Sequence, residues 1–196
     1  MADPLYLSLW YQNFDVEDML PRMLSLLRQF PFSAQAPGVV HVALHPVSWS
    51  EATVLERRFS PPASPEAAVL VASEQLHEDY AYVFEGAWDI WAQGEDGKWQ
   101  QKPSSVKFVA RALDFDEGAW EQEGHIEVDL GLDSSFLQEG VQLDRDSEER
   151  VRTNVQQLVD FTNAIEKKSG ANGRLLWSES EDNFAQKLVA RLQKVN

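Results

Sequence analysis

The chain has 196 residues, 43% of them hydrophobic, and its 17 basic against 32 acidic side chains give a formal net charge of −15. Ten Phe, seven Trp and four Tyr exclude a disordered chain, because such chains lack the large apolar groups that build a core. The absence of cysteine excludes disulfides and cysteine-based metal or redox sites. No apolar run is long enough for a membrane-spanning helix, and the negative charge disfavours direct binding to nucleic acid, whose phosphates would be repelled.

Residues 5–91 are predicted to fold in the order β-α-β-β-α-β, which is the element order of a ferredoxin-like unit. Continuous or alternating apolar residues indicate its strands, and apolar residues three and four positions apart indicate its helices. The second strand is expected to stop at Pro46, and the third before the prolines of segment 60–63. The predicted segments are strands at 5–11, 39–44, 52–59 and 80–91 and helices at 15–30 and 64–78.

Local residues predict where these two helices begin. Pro21 lies well inside the first apolar stripe. Since proline is tolerated only in a first helical turn, the regular helix is expected from about Asp18. Ser64 followed by Pro65 is a favourable start for the second helix, with serine as the N-cap and proline at the first helical position.

The second half is predicted to add two strands, a long helix, a short strand and a last helix. The long helix carries the clearest apolar stripe of the chain, and Asp146 or Ser147 is expected to cap its start. Ser180 is expected to cap the last helix, whose apolar stripe extends to Val195. The predicted segments are strands at 105–115, 125–132 and 174–178, a helix at 147–168 and a helix after residue 180.

Together these segments predict an α+β fold, in which an antiparallel sheet has helices packed on one face. The second half, in the order β-β-α-β-α, is expected to extend the sheet of the first half. The short connections favour a single domain over residues 1–196, with residues 94–104 as the only candidate for an internal boundary. The first residues show neither a basic segment nor an apolar export segment, which predicts a cytoplasmic protein.

The acidic residues are concentrated in two stretches. Residues 63–97 hold eight acidic side chains and no Lys or Arg, and residues 114–149 hold thirteen acidic side chains and one base, Arg145. Such stretches are typical of a solvated surface that keeps a protein soluble. Alternatively, they form a surface for a basic protein partner.

One predicted strand of the second half alternates polar and apolar residues. His125, Glu127 and Asp129 share one of its faces, because alternate residues of a strand point to the same side. The outer two lie roughly 13 Å apart, which is too far for all three to hold one metal ion. If the preceding strand pairs with this one as a hairpin, Arg111 lies opposite Glu127 or Asp129. That arrangement predicts a cross-strand ion pair on the solvated side of the sheet.

His41 and His45 share a face of another predicted strand. They too lie roughly 13 Å apart, so they are not the helical histidine pair of a zinc protease. No nucleophile motif, P-loop or dinucleotide-binding glycine pattern occurs. The sequence therefore predicts no catalytic residue, no metal site and no cofactor. The candidate binding residues are His41, His45, Arg111, His125, Glu127 and Asp129.

Three functions remain open at this point. The first is a non-enzymatic cytosolic interaction or regulatory protein that uses its acidic surface. The second is a small-molecule-binding protein or enzyme on a ferredoxin-like sheet, a type of sheet that often forms clefts in a homodimer. The third is an acidic DNA mimic or a toxin-neutralising protein. A sheet face with His41 and His45 that closes into a cavity favours the second function, and a flat solvated face excludes it.

Overall fold

A single antiparallel sheet organises the molecule. The computed structural model describes residues 2–138, 143–179 and 184–193. The strands are β1 (Pro4–Trp10), β2 (Val39–Pro46), β3 (Leu55–Ala63), β4 (Tyr80–Gln93), β5 (Trp99–Arg111), β6 (Ile126–Leu132) and β7 (Gly173–Ser178). Within the described ranges the sheet has seven strands in the order β3-β2-β4-β5-β6-β1-β7, and each neighbouring pair runs antiparallel. The second half therefore extends the sheet, as predicted.

The helices cover one face of this sheet. They are α1 (Val16–Gln29), α2 (Pro65–Ser73), α3 (Trp120–Glu123), α4 (Ser134–Leu137), α5 (Arg145–Lys168) and α6 (Phe184–Gln193). The main core joins the strands to α1, α2, α4, α5 and α6. Short α3 packs beside β6 instead, at one end of the sheet. These observations confirm the α+β class with an antiparallel sheet.

Successive side chains of β4 point to opposite faces of the sheet, and one set faces the helices. Tyr82, Phe84 and Trp88 point into the main core and are fully buried. Phe30, which follows α1, stacks on Trp88 with ring centroids 5.5 Å apart and meets Phe161 of α5 edge-on at 5.3 Å. The intervening residues of β4 point to the opposite face. The predicted alternation of this strand is confirmed.

Two helix starts differ from the sequence prediction. Asp15 caps α1 by accepting from the backbone N–H groups of the following turn, so the helix begins before Asp18. Pro21 lies inside α1 on its exposed side, where solvent can satisfy the carbonyl that loses its partner. Asp144, and neither Asp146 nor Ser147, is the N-cap of α5. An aspartate just outside the helix can accept from the first free N–H groups, and Oδ1 of Asp144 accepts from the N–H of residue 147 at 2.8 Å.

The start of α2 is as predicted. Ser64 is its N-cap, and Ser64 Oγ accepts from the N–H of Ala67 at 3.2 Å, with Pro65 as the first helical residue. The helix ends at Ser73, earlier than expected. The predicted cap Ser180 and the stripe residue Val195 of the last helix lie outside the described residues.

The prediction that segment 60–63 ends the third strand is wrong. β3 continues through Pro61 and Pro62 to Ala63. Among the described strands, β3 is an edge strand that pairs with β2 alone. An edge strand tolerates prolines because the N–H groups on its outer side have no partner in the ladder. The strand predicted at 105–115 has different bounds in the structure. β5 begins earlier and ends earlier, at Trp99–Arg111, and a 3-10 turn follows at Phe115–Glu117.

The chain order β-α-β-β-α-β is present, but the first four strands do not form a ferredoxin-like sheet of their own. β5 and β6 lie between β4 and β1. β4 and β5 form a hairpin with thirteen paired positions around the turn at residues 94–98. Closing this short turn costs less chain entropy than bringing β1 back to β4. β1 pairs instead with β6 and β7.

Asn154 of α5 fastens this helix to the sheet. It is 1% exposed, its Oδ1 accepts from the N–H of Trp91 at 2.9 Å, and its Nδ2 donates to the carbonyls of Trp91 at 2.8 Å and Ser135 at 2.9 Å. Asn154→Ala is expected to lower the free energy of unfolding by about 2 kcal/mol, because it leaves buried backbone groups without partners. Urea unfolding measures this loss. The exposed Asn163→Ala on the same helix is the control, and equal losses in both variants would contradict the assignment.

Within the described ranges, no helix combines the length and the apolar character needed to cross a membrane.

Candidate functional site

The face of the sheet opposite the helices carries a cavity of about 610 Å³, which we call the open-face cavity. Its floor contains small apolar side chains of three adjacent strands, Ala43, Val83 and Val109. The other lining residues are polar or aromatic: Tyr6, His41, His45, Trp49, Glu56, Glu85, Lys107, Arg111, Glu123, Glu127, Asp129, Trp177 and Glu179.

The strand register aligns these side chains in rows across the sheet. Residues that face each other on adjacent strands lie about 4.5–5.5 Å apart. We call one of these rows the charged row; it runs through His41, Glu85, Lys107, Asp129 and Tyr6. The neighbouring row runs through Ala43, Val83, Val109 and Glu127. A row of alternating charge therefore lies directly beside a largely apolar row.

His41 provides unused hydrogen-bonding capacity in the cavity. Its side chain is 10% exposed, and neither ring nitrogen has a hydrogen-bond partner among the described residues. Its Nδ1 lies 3.5 Å from Oε2 of Glu85, which allows electrostatic attraction but makes no hydrogen bond. A neutral imidazole has one donor and one acceptor, and leaving them unmade in a buried position costs free energy. A ligand in the cavity can supply the missing partners.

His45 lies at the end of the cavity near the β2–β3 loop. Its ring meets Trp49 edge-on with centroids 4.9 Å apart, and its Nδ1 is buried without a partner. Burial is the main cause that lowers the pKa of His45, so its ring is neutral at pH 7. Trp49 in turn packs edge-on against Phe115 at 4.9 Å and forms the wall of this end.

Arg111 forms the charged centre of the same end. Its side chain is 3% exposed, and Nη2 lies 2.7 Å from Oε2 of Glu123 and 2.9 Å from Oε1 of Glu127. The guanidinium carbon is 5.9 Å from the ring centroid of Trp49, and the buried Nε has no partner among the described residues. Burial raises the pKa of Glu127, and the Arg111 charge opposes that rise.

The predicted ion pair between Arg111 and Glu127 is present, but two details of the prediction are wrong. Arg111 lies opposite His125, because its N–H donates to the His125 carbonyl at 2.9 Å, and its side chain reaches Glu127 diagonally. The pair is buried rather than solvated, since Trp49 covers that end of the sheet.

Aromatic rings and carboxylates form the opposite end of the cavity. Tyr6 and Trp177 lie side by side with ring centroids 4.8 Å apart, and Trp177 Nε1 is held by Ser8 Oγ at 3.0 Å. Burial, followed by the charges of Asp129 and Glu127, raises the pKa of Tyr6. The phenol therefore stays neutral at pH 7, and the aromatic faces beside carboxylates suit a cationic group.

His125 does not line the open-face cavity. Its ring lies between Phe14 at 4.4 Å and Trp120 at 4.3 Å, and its Nδ1 accepts from the N–H of Tyr11 at 3.0 Å. Burial lowers its pKa to about 4. His125 therefore acts as a neutral aromatic ring that joins the end of β1 to α3.

The structure brings five of the six candidate residues to one cavity, and only His125 lies apart. The prediction missed the aromatic pair of Tyr6 and Trp177 and the carboxylates of Glu56 and Glu85. Glu85 could be found from the alternation of its strand, which places it on the face opposite the core. Glu56 could not, because its position depends on how the edge strand β3 pairs with β2, which no local pattern determines.

The balance of charge in the cavity is negative. Lys107 and Arg111 face six carboxylates, those of Glu56, Glu85, Glu123, Glu127, Asp129 and Glu179. Among the described residues, no group of three or more His, Cys, Asp or Glu side chains is arranged to hold a metal ion. The arrangement suits donor-rich, positively charged groups.

A second concavity of about 670 Å³ lies between the end of α1 and α5. Its lining includes Gln29, Glu149, Arg152, Gln156 and Asp160. In the part of the chain that the structure describes, none of its lining side chains has a buried polar atom without a partner. The open-face cavity, by contrast, contains such atoms on His41, His45 and Arg111.

No protein-family model, curated protein or solved structure matches the chain.

Proposed function

We propose that the protein binds a small cationic molecule in the open-face cavity. The observation that carries the proposal is the excess of carboxylates in a cavity that also contains buried, unpartnered ring nitrogens of His41 and His45. The carboxylates accept from cationic N–H groups, and a ring nitrogen of a neutral histidine can do so as well.

The shape and electrostatics of the cavity support a cation. Concave sites with one sign of charge focus the field and raise the local concentration of counter-ions. The net charge of −15 adds attraction at long range. Trp49 at one end and Tyr6 and Trp177 at the other offer aromatic faces to a bound cation.

The cavity favours small-molecule binding, the second of the three functions considered above, on a sheet whose strand order is not that of a ferredoxin-like unit. A flat acidic surface suits a basic protein partner, whereas buried polar groups around a cavity of about 610 Å³ suit a small molecule. The interaction protein and the nucleic-acid mimic are the alternative outcomes of the test. The cytoplasmic location, the single domain and a homodimer stay predictions.

Calorimetric titration with two probes of opposite charge tests the proposal. Cadaverine, a five-carbon diamine, is expected to bind, and glutarate, a five-carbon dicarboxylate, is not. Glu85→Gln is expected to weaken cadaverine binding about tenfold, because it removes a charged acceptor worth about 1.4 kcal/mol. Native mass spectrometry of the purified protein adds the identity of any ligand that stays bound.

Glu74→Gln is the matched control, since Glu74 is exposed at the end of α2 and does not line the cavity. It is expected to leave cadaverine binding unchanged. The proposal fails if glutarate binds as tightly as cadaverine, or if the two glutamate variants weaken cadaverine binding equally.

A further inference from the structure

The charged row places one cation between two carboxylates. Lys107 of β5 pairs across to Glu85 of β4 on one side and to Asp129 of β6 on the other. The two carboxylate-bearing residues are therefore two strand spacings apart, about 10 Å. All three residues line the open-face cavity.

Lys107 is available to a ligand. Its side chain is exposed, and among the described residues it takes part in no ion pair within 4.0 Å. Arg111, by contrast, is committed to Glu123 and Glu127. A ligand with cationic groups alone leaves Lys107 without a partner, and the Lys107 charge weakens its binding to the surrounding carboxylates.

The order negative, positive, negative is complementary to a ligand whose charges run positive, negative, positive. We infer that the ligand is a basic amino acid, with its carboxylate on Lys107 and its two cationic groups on Glu85 and Asp129. This inference rests on the proposed function and narrows it to one chemical class.

The dimensions of lysine fit this row. Three backbone-type bonds span about 3.3–3.6 Å, so the six bonds between the two amino groups of lysine span about 7 Å. The two carboxylate-bearing strands lie about 10 Å apart. A ligand of this length therefore contacts both carboxylates from above the row, with each ammonium group slightly inside the residue that it contacts. The methylene groups then lie over Val83 and Val109 in the neighbouring apolar row.

The two ends of the row differ, which sets the orientation of the ligand. At one end, His41 is nine-tenths buried, lies beside Glu85, and has both ring nitrogens unpartnered. This end suits the α-ammonium and the neighbouring carboxylate of an amino acid, because the two unpartnered ring nitrogens of His41 add hydrogen-bonding capacity beside Glu85. At the other end, the rings of Tyr6 and Trp177 lie beside Asp129 and suit the side-chain cation.

Three probes that differ by one charged group test the inference by calorimetric titration of the full chain. They are L-lysine, cadaverine, which lacks the carboxylate, and 6-aminohexanoate, which lacks the α-amino group. We expect lysine to bind about tenfold more tightly than either of the other two. Cadaverine binding as tightly as lysine overturns the carboxylate contact with Lys107, and 6-aminohexanoate binding as tightly as lysine overturns the α-ammonium contact.

Lys107→Met provides the second test. It is expected to weaken lysine binding to the level of cadaverine and not to weaken cadaverine binding. Lys102→Met is the matched control, since Lys102 lies on the same strand, is exposed and does not line the cavity. Equal lysine affinity in the two variants overturns the inference. If Lys107→Met does not fold, titration of the unaltered chain with the three probes still tests whether the ligand is a basic amino acid.

The failures of the two proposals are distinguishable. If cadaverine binds and lysine does not bind more tightly, the basic amino acid is excluded and the cation-binding function stands. If neither binds, both proposals fall.

Discussion

Replacing Arg111 with methionine is expected to lower the free energy of unfolding by about 3–5 kcal/mol at neutral pH. The side chain of Arg111 is 3% exposed and contacts the carboxylates of Glu123 and Glu127, of which Glu127 is itself buried. Methionine fills much of the same space but leaves the Glu127 charge buried without its partner. Urea unfolding at pH 7 measures the loss.

Two further variants separate the lost ion pair from lost packing. In Arg111→Met combined with Glu127→Gln, the buried charge is gone, and more than half of the lost stability is expected to return. Arg28→Met is the control for an exposed pair, since Arg28 and Glu66 are each more than half exposed. It is expected to cost much less than Arg111→Met, because solvent weakens an exposed ion pair. If Arg111→Met and Arg28→Met lower the free energy of unfolding by similar amounts, burial of the ion pair does not determine the cost of removing its arginine.

Acid is expected to destabilise the protein through His125. Its pKa is about 4 in the folded chain and about 6.5 in an unfolded chain. Above pH 6.5 the ring is neutral in the folded and in the unfolded state, so the free energy of unfolding is not lowered by its titration. As the pH falls below 6.5, the unfolded state gains a proton that the folded state does not, so unfolding becomes more favourable. The expected loss is about 2 kcal/mol at pH 5 and about 3 kcal/mol at pH 4.

The variant His125→Gln isolates this contribution from that of the carboxylates. Glutamine retains an acceptor for the N–H of Tyr11 but carries no charge at any of these pH values. The free energy of unfolding is measured by urea at pH 7, 6, 5 and 4, and the variant is expected to lose about 2 kcal/mol less than the native chain between pH 7 and pH 5. His77→Gln is the control at an exposed position. If the free energy of unfolding of His125→Gln falls with pH as steeply as that of the native chain, His125 is not the cause of the destabilisation by acid.

Elements with strong local signals were predictable from the sequence. The alternation of β4 and the Ser64–Pro65 start of α2 depend on a few neighbouring residues, and both are confirmed. The extent of β3 was not predictable in the same way. Its prolines are tolerated because the strand lies at the edge of the sheet, and no local pattern says which strand that is.

The order of the strands also depends on distant residues. The first half carries a ferredoxin-like element order, but β4 pairs with the neighbouring β5, and β1 pairs with the distant β6 and β7. For the site, period-two alternation was enough to place His41 with His45 on one strand face, and Glu127 with Asp129 on another. That these are the same face of the sheet depends on the strand register, which the sequence did not predict. Whether that face closes into a cavity depends on the loop of Trp49 and on the aromatic pair of β1 and β7.

The position of β1 in the sheet has a consequence for folding. Leu7 pairs with Val128 on one side and with Leu176 on the other, both well over a hundred residues later in the sequence. The strands β2, β3, β4 and β5 can pair through nearer neighbours, but β1 has to wait for the far part of the chain. Such distant pairing is slow. During synthesis on the ribosome, β1 has neither strand partner until β6 and β7 follow. Its residues Leu5, Leu7 and Leu9, among the most deeply buried of the native protein, then belong to a segment that chaperones can protect.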